Sequence, residues 1–543
     1  MKDMKTKIIE FFQKYWIPVV GAIIILAVIL SCVNIYRERV LEIDDSIRYE
    51  KQYDIYIPAN SIDTLNPVTT ITEDSYYINK LIYDSLFDFD KNLGVVPVLV
   101  DSYTVDTEKA FVSIKLKPGI KFHDGKTLKS DDIIFTVNAI KSLGTKSLYY
   151  SKVNKIHSVY ADSELEFKIY FKNNFDCSLD CLTFPIVSGS SHNNISTFLS
   201  DENFKPIGTG EYKFSKYDSY KELILTPNTD YFGEIPKNNI IVQIIPDKNN
   251  LANLIENETI TCYLDKGSDR KTMVTDSNLK MYDLVSNEVD FIYFNTSSEV
   301  FKKLDMRKAV AYAIDSESVL EKGYMNDGVL TDTIYYPNFL GVEDTGSYYT
   351  YNEAEATTIL NKYGYTDEDK DGKVEDKKKK PLTVNILVNS NNANRVAATK
   401  VITKNLESIG FTVNVKSVPW DEYQKLIKSK SFDILVTGYS IEETYDLRFF
   451  YDGKAPWGYK NDKILTQAKK LDRLYTSEEY TNIYSDLKTM LINELPYYPL
   501  CYKKMGLIGT ETLEAKTMPM FNDIYKNIGT WEWSKAVVVE TKE

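Results

Sequence analysis

The chain has 543 residues, of which 43% are hydrophobic and 26% charged, and it carries a net charge of −13. That length exceeds what one hydrophobic core fills, so several domain-sized units are expected, with the composition of an ordered globular protein. An acidic chain repels phosphate backbones, and the one dense basic run, Lys377 to Lys380, sits beside an acidic turn and reads as a solvated loop, so no nucleic-acid binding is expected.

The first 36 residues differ from the rest. Residues 17–35 carry no charge, and Trp16 and Tyr36 flank them, which approaches the roughly 20 apolar residues a helix needs to cross a bilayer. Lys2, Lys5, Lys7 and Lys14 precede this span, whereas Arg37 and Arg39 follow among acids. The basic bias makes residues 1–16 a cytoplasmic segment, 17–36 an anchor and 37–49 a stalk, with the remainder on the extracytoplasmic face. Ile29-Leu30-Ser31-Cys32 also resembles a lipoprotein signal ending at Cys32, but the leucine and the lack of a Ser/Gly tether favour an uncleaved helix. Either way the folded part is tethered to the outer face of a membrane. Of the remaining cysteines, Cys177, Cys181, Cys262 and Cys501, only the first two are close enough to suggest a small disulfide loop. With three histidines in the whole chain, a zinc site is not expected.

Residues 53–57 alternate and end at Pro58, as a strand does. Ile78, Leu81, Ile82 and Leu86 share one face of a helix over 75–87. Residues 103–116 read as a hairpin turning at 106–109. FHDGKT (122–127) ends like a phosphate-binding loop, but the position of that loop's first glycine is Ile120, so a nucleotide is not expected. Ser130 then caps a helix with Asp131 and Asp132 in its first turn. Strands are expected at 165–171, 222–226 and 239–245, and a helix after Asp305 as its N-cap. The runs 382–388, 411–418 and 432–436, separated by helices over 394–408 and 421–429, form a βαβαβ series and predict a parallel sheet. A helix over 478–493 follows. Asp367, Asp369 and Asp371 have the opening spacing of a calcium loop, yet its twelfth position is Lys378 rather than glutamate. The expectation there is an acidic surface turn, with no metal and no cofactor.

Several stretches together resemble one family, the peptide/nickel-type (family 5) solute-binding proteins of bacterial ABC importers. Leu65-Asn66-Pro67, LIYDSLFDFD (81–90) with Pro97, IKLKPGIKFHDGKTLKSDDIIF (114–135), GTGEYKF (208–214), NTDYFGEIPK (228–237) and FNTSSEVFKKLDMRKAVAYAID (294–315) occur in that family's order. In such proteins KFHDG is a structural loop between a sheet and a helix, and GTG is a turn between domains.

The resemblance implies an α/β, two-lobed periplasmic-binding-protein-like fold of the cluster C type, with an extra small domain. Lobe I would take residues 50–85, 208–285 and 495–535, the extra domain 86–207, and lobe II 286–494. It implies a monomeric receptor, not an enzyme, that closes on a di- to oligopeptide and hands it to permease subunits. An oligosaccharide or a nickel chelate is the alternative cargo, and an adhesive or structural surface protein the rival role. Neither GxSxG nor HExxH occurs, and residues 286–494 contain no histidine. By the family's pattern, Trp420 in VPWDEY and Tyr439 and Ser440 in TGYS fall at the cleft. Glu442 falls where many peptide receptors carry the aspartate that pairs with the peptide's amino terminus. The chain departs there, with GYSIEETYD in place of GW..DYPDP. Glu73 and Tyr498 are further cleft candidates.

Overall fold

The computed structural model describes residues 4–6, 31, 47–172, 178–192, 194–200, 204–267, 270–275, 277–442, 446–473 and 475–538. They form two compact units, one of residues 54–531 and one of residues up to Tyr53 together with those from Glu532 onward.

The smaller unit is a two-stranded ribbon. Ile47–Gln52 pairs antiparallel with Trp533–Val538, with Ile47 opposite Val538 and Gln52 opposite Trp533. Lys51 Nζ lies 3.5 Å from Glu532 at its edge. The stalk expected over 37–49 is therefore strand in its described part, because a partner from the far end of the chain satisfies its backbone. The expected span over 17–36 lies, apart from Ser31, outside the described residues, as do Cys32 and Cys177. Among the described residues no helix is long and apolar enough to cross a membrane.

The larger unit contains three principal sheets. Asp54–Ala59, Asn239–Ile244, Glu222–Pro227 and Tyr212–Asp218 lie in that order, the first two parallel. Ile55, Ile57 and Ala59 are buried on alternate positions, as a half-covered strand requires. An antiparallel sheet orders Val100–Asp106, Phe111–Leu116, Glu166–Phe171 and Ile156–Ala161. The third sheet is built around two long neighbours, Leu279–Phe294 and Tyr497–Thr510. Cys262–Asp265 flanks them on one side; on the other come Ile434–Ser440, Thr383–Asn389 and Thr412–Val418. Those last three are mutually parallel where they pair. Helices Ala393–Ser408 and Trp420–Lys428 provide the crossovers, as the βαβαβ pattern predicts. Val384, Ile386, Val388, Ile402, Leu406 and Val436 are fully buried in the core beneath this half of the sheet. The ladder between the two long strands is broken between Val285 and Val289, a bulge that lets the sheet bend.

Two caps differ from expectation. Lys129 holds the cap position of helix Ser130–Leu143, and Asp132 accepts its N–H at 2.8 Å; Ser130 Oγ instead donates to Ser163 O at 2.9 Å. Helix Leu304–Ala313 begins one residue before Asp305, whose carboxylate takes Lys362 Nζ at 3.1 Å and Tyr363 OH at 3.0 Å.

FHDGKT is a tight loop, closed by a bridge between Lys121 and Thr127. His123 joins it to the GTG stretch: its N–H donates to Gly208 O at 2.9 Å, and its ring lies against Gly208 and Gly210. Gly208 is needed for a close approach, since a Cβ there would stand 1.9 Å from Ile82 O.

Candidate functional site: a cleft of mixed charge and aromatic rings

The sheet half that carries Ile434–Ser440 ends at a cavity of about 1000 Å³. Its walls come from three parts of the chain: Tyr76 on helix Glu73–Ile82, residues 148–155 with Asp180, and residues 439–472. No local pattern links these segments; the fold brings them together.

Tyr439 is half-buried and stacks on Phe449, ring centroids 4.7 Å apart, with Phe450 edge-on at 5.2 Å. Beneath them Trp457 and Tyr497 continue the aromatic floor, Trp457 Nε1 donating to Tyr497 OH at 2.8 Å. Such a floor presents flat, rigid surface with polar tips. Burial, then Glu442 and Asp446, raise the Tyr439 hydroxyl above its ordinary value, so it stays a neutral donor.

The charges around this floor are balanced: Asp180, Glu442, Asp446, Asp452 and Asp472 against Lys152, Lys155, Arg448, Lys454 and Lys469. Several are already matched. Arg448 spans Asp446, at 3.0 Å from Nε, and Asp472, at 2.7 Å from Nη1. Lys454 Nζ lies 3.2 Å from Asp452, and Lys152 Nζ donates to Thr183 Oγ1 at 2.7 Å. Glu442 is exposed and has no ion-pair or hydrogen-bond partner among the described residues.

Of the residues expected from sequence, the structure brings Tyr439 and Glu442 to this one cavity. Ser440 is exposed at the end of the same strand and is not in its lining. Trp420, 51% exposed, opens its helix stacked on Tyr423 and also stands outside the lining. Glu73 lines a separate cavity of about 460 Å³, where Lys266 Nζ is 2.5 Å away. Tyr498 is a core residue, its hydroxyl bonded to Ser316 Oγ at 2.6 Å. Tyr76, Lys152, Arg448 and Phe449 were not anticipated. The aromatic density of RFFY (448–451) and PWGY (456–459), just after the cleft strand, was a usable sign for the last two.

At the acidic turn, Asp367, Asp369 and Glu375 hold carboxylate oxygens within 4.8 Å of one another. Asp371 is not in that group; its Oδ1 accepts Lys373 N–H at 2.8 Å.

A large open cleft, floored by aromatics and walled from separate parts of the chain, has the form of a binding site for a small solute. The chain belongs to the bacterial extracellular solute-binding proteins, family 5: residues 94–461 match the family described as "Bacterial extracellular solute-binding proteins, family 5 Middle". It is 28% identical over 499 residues to the oligopeptide-binding protein AppA of Bacillus subtilis (strain 168), covering 87% of this chain and 89% of that one. Solved structures share the two-lobed fold. AppA of Bacillus subtilis in complex with a nonapeptide aligns with a TM-score of 0.54 at 24% identity, over 90% of this chain and 100% of that one. NikZ of Campylobacter jejuni in complex with Ni(L-His) aligns with a TM-score of 0.59 at 22% identity, over 89% and 99%.

Proposed function

We propose that this protein is the membrane-tethered receptor of an ABC importer and that it captures di- to oligopeptides by closing two lobes over the cleft at Tyr439. The observation that carries the reading is Glu442, a carboxylate without a partner among the described residues, beside an aromatic floor in a cavity with room for several residues. A peptide presents an ammonium, a carboxylate and a ladder of main-chain donors and acceptors. Unpaired acid, lysines and tyrosine hydroxyls are the complementary groups. The AppA relative, named for oligopeptide binding, supports the same ligand class.

The division into two lobes and an extra domain, at the boundaries given above, is part of the proposal. The bulge between Val285 and Val289, where the long strands lose register, supplies a joint about which closure occurs. The tether in this reading is the apolar span 17–36, with the folded residues outside the membrane and no catalytic step.

A thermal-shift screen of residues 45–543 with di- to octapeptides, cello-oligosaccharides and nickel tests this. Ligand at 100 times its dissociation constant adds about 2.7 kcal/mol of stability. Stabilisation by peptides is expected; stabilisation by sugars or nickel alone overturns the assignment.

A further inference from the structure

Beside the cleft, and sharing Tyr76 and Tyr149 with it as walls, lies another cavity of about 280 Å³. Four carboxylates line it, Asp84, Asp88, Glu211 and Asp523, against two ammonium groups, Lys80 and Lys526. Both lysines pair with Asp88: Lys526 is bonded to it and Lys80 Nζ stands 3.6 Å away. Asp84 is held by neutral donors, Thr209 Oγ1 at 2.8 Å and Tyr231 OH at 3.4 Å. Glu211 has no ion-pair or side-chain hydrogen-bond partner among the described residues.

Independently of these charges, Asn79 points to a guest. It is 1% exposed and lines the cavity, and neither its Oδ1 nor its Nδ2 has a hydrogen-bond partner among the described residues. A buried amide without protein partners costs free energy unless a polar guest satisfies it. The acids register the same imbalance. Burial, with Asp523, Asp84 and Glu234 nearby, pushes Glu211 up to about 8, and burial raises Asp84 to about 6 against the pull of Thr209, Tyr231 and Lys117. Room, surplus carboxylate and an idle amide oxygen are the complement of a cation.

We propose that this cavity is a subsite for an ammonium or guanidinium group carried by the ligand in the cleft, the side chain of a lysine or arginine in a bound peptide. Glu211 and Asp84 supply the counter-charge and Asn79 Oδ1 accepts from the cation. The assignment rests on the peptide reading for its ligand and on this cavity for its charge preference.

Calorimetry on the whole protein tests it, using alanine tripeptides with lysine at the first, second or third position and the same series with norleucine, its uncharged counterpart. At one position lysine is expected to bind about tenfold tighter than norleucine. Glu211→Gln is expected to abolish that ratio. A second readout needs no variant: Glu211 must ionise to meet the cation. Near neutral pH, the lysine peptide therefore releases a proton on binding, seen as a dependence of the heat on buffer ionisation enthalpy, and the norleucine peptide releases none. Equal affinities at all three positions, or a preference that survives Glu211→Gln without proton release, overturns the subsite and leaves the peptide receptor standing. If neither series binds, both readings fall. If n-butylamine alone binds, with the same dependence on Glu211, the cavity takes free amines and its coupling to a peptide is overturned.

Discussion

Asp290 and Arg395, 105 residues apart, meet in a buried ion pair: Arg395 Nη2 lies 2.7 Å and Nε 3.0 Å from the same Asp290 Oδ1. Tyr324 OH occupies the other oxygen at 2.9 Å. Gly438 makes the pair possible, since a Cβ there would stand 2.1 Å from Arg395 Nη2. The strand that delivers Tyr439 to the cleft is thus clamped one residue before it. Arg395→Met leaves the buried Asp290 with only Tyr324 OH and Lys503 Nζ, 4.0 Å away, and is expected to destabilise the protein by up to about 3–5 kcal/mol. Gly438→Ala is expected to cost about 1–3 kcal/mol by overpacking and to weaken ligand binding as well. Urea denaturation with a parallel binding titration measures both, and a Gly438→Ala protein of unchanged stability contradicts the clamp.

Glu442 is exposed, so Glu442→Gln is expected to leave folding stability within about 0.5 kcal/mol. Its effect belongs to the ligand: affinity for a free-amino peptide is expected to fall by about 1.5–3 kcal/mol, the size of a hydrogen bond to a charged group. The N-acetylated form of the same peptide, which has no ammonium, is expected to bind the variant and the parent alike. Equal losses for both peptides would place the amino terminus elsewhere.

Tyr439 contributes a ring and a hydroxyl, and the two are separable. Tyr439→Phe keeps the stack on Phe449 and is expected to change stability by less than about 1 kcal/mol, while losing the hydroxyl's bond to ligand. Tyr439→Ala removes the ring and is expected to cost about 1–3 kcal/mol and most of the binding. Chemical denaturation and calorimetry on the two variants distinguish the roles.

Two groups outside the cleft set opposite slopes of stability with pH. The His123 ring donates from Nε2 to Gly210 O at 3.0 Å and accepts the Gly208 N–H on Nδ1 at 3.3 Å, an arrangement only the neutral ring makes. Burial lowers its pKa to about 4. The unfolded chain therefore takes the proton first, and stability is lost as pH falls from about 6.5 to about 4. Glu211 runs the other way. Its folded pKa of about 8 exceeds the unfolded value, so its contribution is present at low pH and is lost as pH rises through about 8. The two windows overlap between about pH 4.5 and 6.5, where the opposing slopes offset each other, so midpoints are expected to decline from about pH 6.5 to about 8; Glu211→Gln is expected to remove that decline and to steepen the His123 slope below about 6.5.

What could be read in advance follows from how local each cause is. The strands Thr383–Asn389 and Thr412–Val418 and the helix Ala393–Ser408 announce themselves because hydrophobic period is written in consecutive residues. The hairpin around 106–109 is legible for the same reason. The strand Ile47–Gln52 is not, because it follows a span that reads as helix and its partner begins at Trp533. Caps fail on a finer scale: Asp305 looks like a cap from its neighbours, but Lys362 and Tyr363 claim its carboxylate. At the site, Tyr439 and Glu442 lie on one short stretch that a family pattern can mark. Tyr76, Tyr149 and Lys152 reach the same space from other elements, and only the fold's topology puts them there. The amide of Asn79 has no sequence signature at all, since being unsatisfied is a property of its surroundings.

The ribbon of Ile47–Gln52 and Trp533–Val538 has a practical corollary. In an antiparallel pair with Ile47 facing Val538, the polypeptide that leads in and the polypeptide that leads out depart from the same end. A covalent link between two facing positions, such as Tyr49 and Ala536, would therefore close the described chain into a loop from 49 to 536. A label meant to leave this ribbon untouched belongs on an exposed loop such as 367–372.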